Sequence, residues 1–128
     1  MLEELKFDEK GLIPAVVQCA DTGKVLTLCY MNREALERSL AEGCIYLFRR
    51  SKGKLMKKGE TSGHTQEIVE VRADCEGNSL LFLVKQRVAA CHAGYYTCYY
   101  RKVAKGGKGG GASLEVCEDR VFNPKDIY

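Results

Sequence analysis

A chain of 128 residues, 45% hydrophobic and 29% charged, has the length for one domain with a real core and the composition of an ordinary soluble globule. Its net charge of +3 is too mild to demand a polyanionic partner. No apolar run approaches the roughly 20 residues that a membrane span needs, and the acidic, mixed opening MLEELKFDEK is unlike a secretory signal. The expected location is therefore the cytoplasm, where an odd set of seven cysteines stays reduced and serves as buried small hydrophobes, metal ligands or nucleophiles.

In chain order, IPAVVQCA (13–20) and KVLTLCYM (24–31) are apolar, β-branched runs around DTGK, a pattern that predicts a β-hairpin turning at Gly23. Asn32 then caps a helix over 33–42, with Leu36 and Leu40 on one face and Gly43 as its stop. CIYLFRR (44–50) reads as a strand, Gly53 as a turn, and 54–57 as a short returning strand. KGETSGH (58–64) is a loop of small polar residues. QEIVEVRAD alternates as a strand with Val69, Val71 and Ala73 on one face, and CEGN turns the chain into SLLFLVKQ, apolar enough for a central strand. Residues 87–95 read as a loop and YYTCYYRKV as a strand, with Tyr96, Cys98 and Tyr100 on one face. KGGKGGGAS (105–113) reads as a flexible connector, and the tail before Pro124 as a last strand. The sum is one mostly β domain (α+β) over 1–128, with one main helix.

Three groups of residues carry chemistry. Cys75, Cys91 and Cys98 leave 15 and 6 residues between them. Three thiolates without a fourth ligand are the pattern of a catalytic zinc, with one position left for water; buried, unconnected thiols are the other reading of the same spacing. His92 would act beside such a metal as a base, or is a plain loop histidine. Asp74, Glu76 and Asn78 alternate around Cys75: extended, they would form a hard-cation site for magnesium, and folded, a tight turn of the residues that favour turns. RRSKGKLMKK (49–58) holds six basic residues and no acid, which is either a solvated hairpin or an anion site. A nucleic-acid module with stacking tyrosines is the competing class, but the charge excess is small and no RNA-binding motif occurs.

KGETSGHTQ (58–66), DC (74–75), ACHAGYYTCYYR (90–101), FNPKDIY (122–128) and LIPAVVQCADTGKVLTLCYMNREAL (12–36) together resemble the phosphoribosyl-AMP cyclohydrolases of histidine biosynthesis, in order and over nearly the whole chain. The resemblance implies a zinc-dependent hydrolase that opens the adenine ring of N1-(5-phosphoribosyl)-AMP at C6–N1. It implies a strongly curved mixed sheet or pseudo-barrel of five or more strands, in an intertwined homodimer with shared active sites. By the same resemblance Cys75, Cys91 and Cys98 are the zinc ligands, with Cys75 given by the other subunit, and His92 is the base or proton shuttle. Arg50 and Lys52 would hold substrate phosphate, and Glu60, Thr61, Ser62 and His64 would line the pocket around a small nucleotide; neither nucleic acid nor membrane is implied.

The chain departs from the family's usual pattern at several positions. Glu76 and Asn78 stand where aspartates are usual, one carboxylate becoming an amide, so magnesium should bind weakly. Met56 replaces a tryptophan and Arg49 a serine, and the Gly-rich segment is long. These changes keep open a related hydrolase acting on another N-substituted purine nucleotide.

Overall fold

The computed structural model describes residues 2–106 and 110–127. Among the described residues there are eight strands and one α-helix: β1 (Ile13–Cys19), β2 (Val25–Met31), α1 (Arg33–Glu42), β3 (Tyr46–Arg49), β4 (Lys54–Lys57), β5 (Gln66–Ala73), β6 (Leu80–Gln86), β7 (Arg101–Ala104) and β8 (Ser113–Val116). A four-stranded mixed sheet in the order β2-β1-β6-β5 is accompanied by two separate hairpins, β3–β4 and β7–β8. The sheet does not close into a barrel, and the strands beyond its four belong to those hairpins.

The expected β1–β2 hairpin forms, and β6 lies centrally, parallel to β1 and antiparallel to β5. Burial explains the register. Ala15, Val17 and Cys19 on β1 pair with Leu80, Phe82 and Val84 on β6, and all six are buried. A one-residue slip would turn both rows to the other face, so burial of these rows, each large side chain being worth about 1.5–3 kcal/mol, holds the pairing in place. Ile13, Leu26 and Met31 extend the same core.

Helix α1 starts and stops as its sequence dictates. The Asn32 side chain accepts a hydrogen bond from Ala35 N at 2.8 Å, and Gly43 takes the left-handed conformation at φ 76°. Its buried face is Ala35, Leu36 and Ser39, whereas Leu40 stays 44% exposed. Ser39 holds an inside position because its hydroxyl accepts from Tyr46 N at 2.8 Å and donates to Ala35 O at 2.7 Å, tying the helix to β3.

Three segments differ from the expectation. A register shift between Ile68 and Glu70 leaves Val69 54% exposed, so Ile68 and Val71, not Val69, Val71 and Ala73, lean on the core. The strand expected from 95 begins only at Arg101, because the Thr97 hydroxyl donates to Val25 O at 2.7 Å and accepts from Tyr99 N at 3.0 Å, closing a local turn in place of a ladder. The tail contributes a single bridge, Tyr95 to Arg120, and a 3-10 turn at Pro124–Asp126, while Ser113, expected in the connector, opens β8. Residues 107–109 of the expected flexible connector lie outside the described residues. Among the described residues no helix is long and apolar enough to cross a membrane.

Candidate active site

A cavity of about 680 Å³ opens between β2, the β3–β4 hairpin, residues 58–62, and the loop that carries His92 and Cys98. The 58–62 wall depends on one backbone closure. Gly63 N donates to Gly59 O at 2.8 Å, and a side chain on Gly59 would meet His64 backbone atoms at 2.5 Å in a φ of +81°. With the loop so folded, Glu60, Thr61 and Ser62 line the cavity.

The loop from 87 to 100 is held by its backbone. Cys91 N donates to Tyr95 O at 3.2 Å, Gly94 N to Cys91 O at 3.1 Å and Cys98 N to Leu26 O at 2.7 Å. The C-terminal tail pins the same turn, with Val121 N on Gly94 O at 2.8 Å and Arg120 Nε on Ala93 O at 2.9 Å. Tyr95 and Tyr100 stack with ring centres 3.8 Å apart, closing the far end. Val88 takes a φ of +62°, unusual for a β-branched residue, in the approach to this turn.

Within that frame the Cys91 side chain is buried, Cys98 is half-buried on the cavity wall, and His92 is exposed and lines the cavity. The Cys98 thiol is raised chiefly by burial; the Thr27 hydroxyl and Lys58 pull it down, and the Cys91 sulfur, within hydrogen-bonding reach, pushes it up. Cys29 lies beside them, pushed up to about 12 by burial against the pull of Lys58. The Lys58 ammonium donates to Ala90 O at 2.7 Å and so stands over this cluster of sulfurs.

The lining is also rich in cations. Arg49, Arg50, Lys57 and Lys58 all line the cavity, and the Arg50 guanidinium sits 3.8 Å from the centre of the Tyr30 ring. That stacking fixes a long side chain in place and leaves its outer N–H groups for an anion. Lys52 is different: it is exposed at the hairpin tip, where its N–H donates to Arg49 O at 3.1 Å, and it is not part of the lining.

His64 also departs from its expected place. It is 5% exposed beneath the loop, edge-on to Phe122 with ring centres 4.8 Å apart, and outside the lining. Burial lowers its pKa, and Lys58 and Arg87 lower it further, so it serves as a neutral wedge.

Cys75 is exposed in the β5–β6 turn, beyond β5, across the sheet from β2, on which Cys98 is anchored. Among the described residues of one chain, no three His, Cys, Asp or Glu side chains converge as a metal site. Cys91 and Cys98 are adjacent, and two neighbouring thiols suit a thiophilic ion.

The segment around Cys75 is turned, not extended. Asp74 Oδ1 accepts from Asn78 N at 2.8 Å and Ser79 N at 3.3 Å, and Asn78 Nδ2 donates to Glu76 Oε2 at 3.1 Å. The Asp74 carboxyl is lowered: desolvation opposes ionisation, but hydrogen bonds from Ser79, Asn78 and Gly77 together outweigh it.

Arg49, Lys57, Lys58, Tyr30 and Gln66 are lining residues that motif reading did not single out. The basic run 49–58 held a signal for three of them and KGETSGHTQ ends on Gln66, whereas no chemical signal marks Tyr30, whose place follows from strand pairing.

The sequence profile of the phosphoribosyl-AMP cyclohydrolase family matches residues 27–100, which carry nearly all of these groups. A phosphoribosyl-AMP cyclohydrolase of Chlorobium phaeovibrioides is 45% identical over 99% of this chain and 89% of its own length. One from Chlorobium chlorochromatii is 44% identical over 100% and 90%, and one from Prosthecochloris aestuarii 45% over 99% and 89%.

Proposed function

The chain belongs to the phosphoribosyl-AMP cyclohydrolase family, hydrolases of histidine biosynthesis, and on that premise we propose that it opens the adenine ring of N1-(5-phosphoribosyl)-AMP between C6 and N1. The single observation that carries this reading is that one cavity is lined both by a thiol and an imidazole, Cys98 and His92, and by the cations Arg49, Arg50 and Lys57. A ribose phosphate on N1 withdraws electrons from the ring, so C6 is open to water. Arg49, Arg50 and Lys57, with the Thr61 and Ser62 hydroxyls, bind the two phosphates and so place C6 near His92. His92 takes one proton from the water as its oxygen bonds to C6 and passes it to N1 as the C6–N1 bond breaks, while the remaining hydroxyl proton moves to the exocyclic nitrogen, leaving a carboxamide.

Zinc belongs to this reading, held by Cys91, Cys98 and Cys75 of a second copy in a homodimer. It supplies, when bound, a Lewis acid that brings the pKa of water toward neutrality. The exposure of Cys75 at the sheet edge, away from the other two thiols, supports a site completed between copies. Magnesium at Asp74, Glu76 and Asn78 would be weak, since Asp74 Oδ1 is already engaged with backbone N–H groups.

The test is incubation of the purified protein with phosphoribosyl-AMP while the ultraviolet spectrum is followed for ring opening, alongside the molecular mass in solution and metal content. Ring opening by a zinc-containing dimer, lost on chelation and restored by zinc, is expected. A zinc-free monomer with full activity would sink the shared metal site and leave only the hydrolase.

A further inference from the structure

Gln66 and Gln86 face each other as register partners at the ends of β5 and β6. Gln86 Nε2 is surrounded by carbonyls, 3.1 Å from both Arg87 O and Ala89 O, 3.4 Å from His64 O and 3.5 Å from Thr65 O. Only the amide nitrogen is favourable in that place, so the Gln86 oxygen must point toward Gln66. Gln66 then has to offer its own nitrogen, and Nε2 donates to Gln86 Oε1 at 2.7 Å. Two side chains thus fix the orientation of a third group, the Gln66 oxygen.

That oxygen has no partner. Gln66 is fully buried, it lines the cavity, and its Oε1 is the one buried side-chain nitrogen or oxygen without a hydrogen bond among the described residues. Buried acceptors are nearly always satisfied, and an orphan in a cavity wall marks the place of a donor that comes with a ligand. Arg49, Arg50, Lys57 and Lys58 in the same lining are cations suited to phosphate and do not read a base, and among the lining groups Gln66 is set apart by a buried acceptor that the fold leaves unpaired.

We propose that Gln66 is a specificity-determining residue for the nucleobase, its Oε1 accepting a hydrogen bond from the amino group of a 6-aminopurine and turning away a 6-oxopurine. This rests on the nucleotide reading above and deepens it. An amino group completes the network, whereas a carbonyl would set acceptor against acceptor at a buried oxygen. Because Gln86 prevents the Gln66 amide from flipping, the site cannot adapt to the oxo base by exchanging its oxygen for its nitrogen.

The test is calorimetric binding of AMP and of IMP to the intact protein. The wild type should bind AMP at least roughly tenfold more tightly than IMP. Gln66→Met, close in size and lacking the amide, should weaken AMP, spare IMP and bring the ratio near one. Gln86→Met keeps Gln66 but frees its amide to turn, and should narrow the ratio as well; it decides the matter if Gln66→Met does not melt cooperatively. Equal binding of AMP and IMP by the wild type, or an unchanged ratio in the variants, overturns the proposal while leaving the nucleotide reading intact. If neither nucleotide binds the wild type, the nucleotide reading fails and the proposal with it.

Discussion

Residues 91–98 and 74–78 are both short, donor-rich turns beside strands, and they use their donors in opposite ways. In 91–98 the turn is closed mainly by main-chain groups, Gly94 N on Cys91 O and Cys98 N on Leu26 O, so Cys98 and His92 face the cavity. In 74–78 the side chains close the turn themselves: Asp74 takes two backbone N–H groups, and Glu76 takes the Asn78 amide. A side chain already committed to shaping its own loop has less to give a ligand. The first turn also lies in a wall built by several elements, whereas Asp74, Glu76 and Asn78 are all exposed.

The largest expected effects fall in the first turn. Cys98→Ala should release zinc and lower turnover of phosphoribosyl-AMP by roughly 10²-fold or more, read by metal analysis and the ultraviolet assay. Full activity in that variant would make the two turns equivalent after all. His92→Ala should lower turnover by roughly 10²–10⁴ with zinc content unchanged. Loss of zinc along with the rate would make His92 a ligand, and the division of labour within 91–98 would have to be redrawn.

Smaller effects are expected in the second turn, and of another kind. Asp74→Ala should lower the urea midpoint slightly even without magnesium, because two N–H groups lose their acceptor. An unchanged stability with a lost magnesium response would reverse the comparison and make 74–78 a cation site. Asn78→Asp sets a second carboxylate beside Glu76 and should raise magnesium affinity while leaving zinc content alone, measured by titration with turnover as the readout. An identical, strong magnesium dependence in both proteins would remove position 78 from any such site.

The smallest effect expected is a pH dependence at His64, which lies in neither turn. Because burial first, then Lys58 and Arg87, hold His64 below its usual pKa of 6.5, the unfolded chain binds the extra proton more readily than the native one. The stability that neutral His64 contributes is complete above about pH 6.5 and declines as pH falls from there toward the lowered native pKa. Urea midpoints compared at about pH 7.5 and about pH 5.5 should show that decline in the wild type and less of it in His64→Phe.

Local chemistry sufficed where a few neighbouring residues decide the structure. The helix follows from Asn32 at one end and Gly43 at the other, the β1–β2 hairpin from two apolar runs around a Gly-containing turn, and the central place of β6 from its continuous apolar composition. The motifs around Cys91, His92 and KGETSGH likewise belong to unbroken stretches, which is why the family resemblance is legible without a fold. What depends on partners far along the chain is not legible in this way. The Ile68–Glu70 bulge moves Val69 outward, Thr97 reaches Val25 and ends a strand before it starts, and Leu40 yields the inside of the helix to Ser39, which Tyr46 needs as an acceptor. The same holds for the site. That Lys58 stands over the sulfurs, that Lys52 misses the cavity, that His64 lies beneath it and that Gln66 lines it with an orphaned oxygen are all consequences of which strands pair and which loops cover them. Residue type and spacing state which chemistry a chain can supply, but only packing decides which of its donors are consumed by the fold and which are left for a ligand.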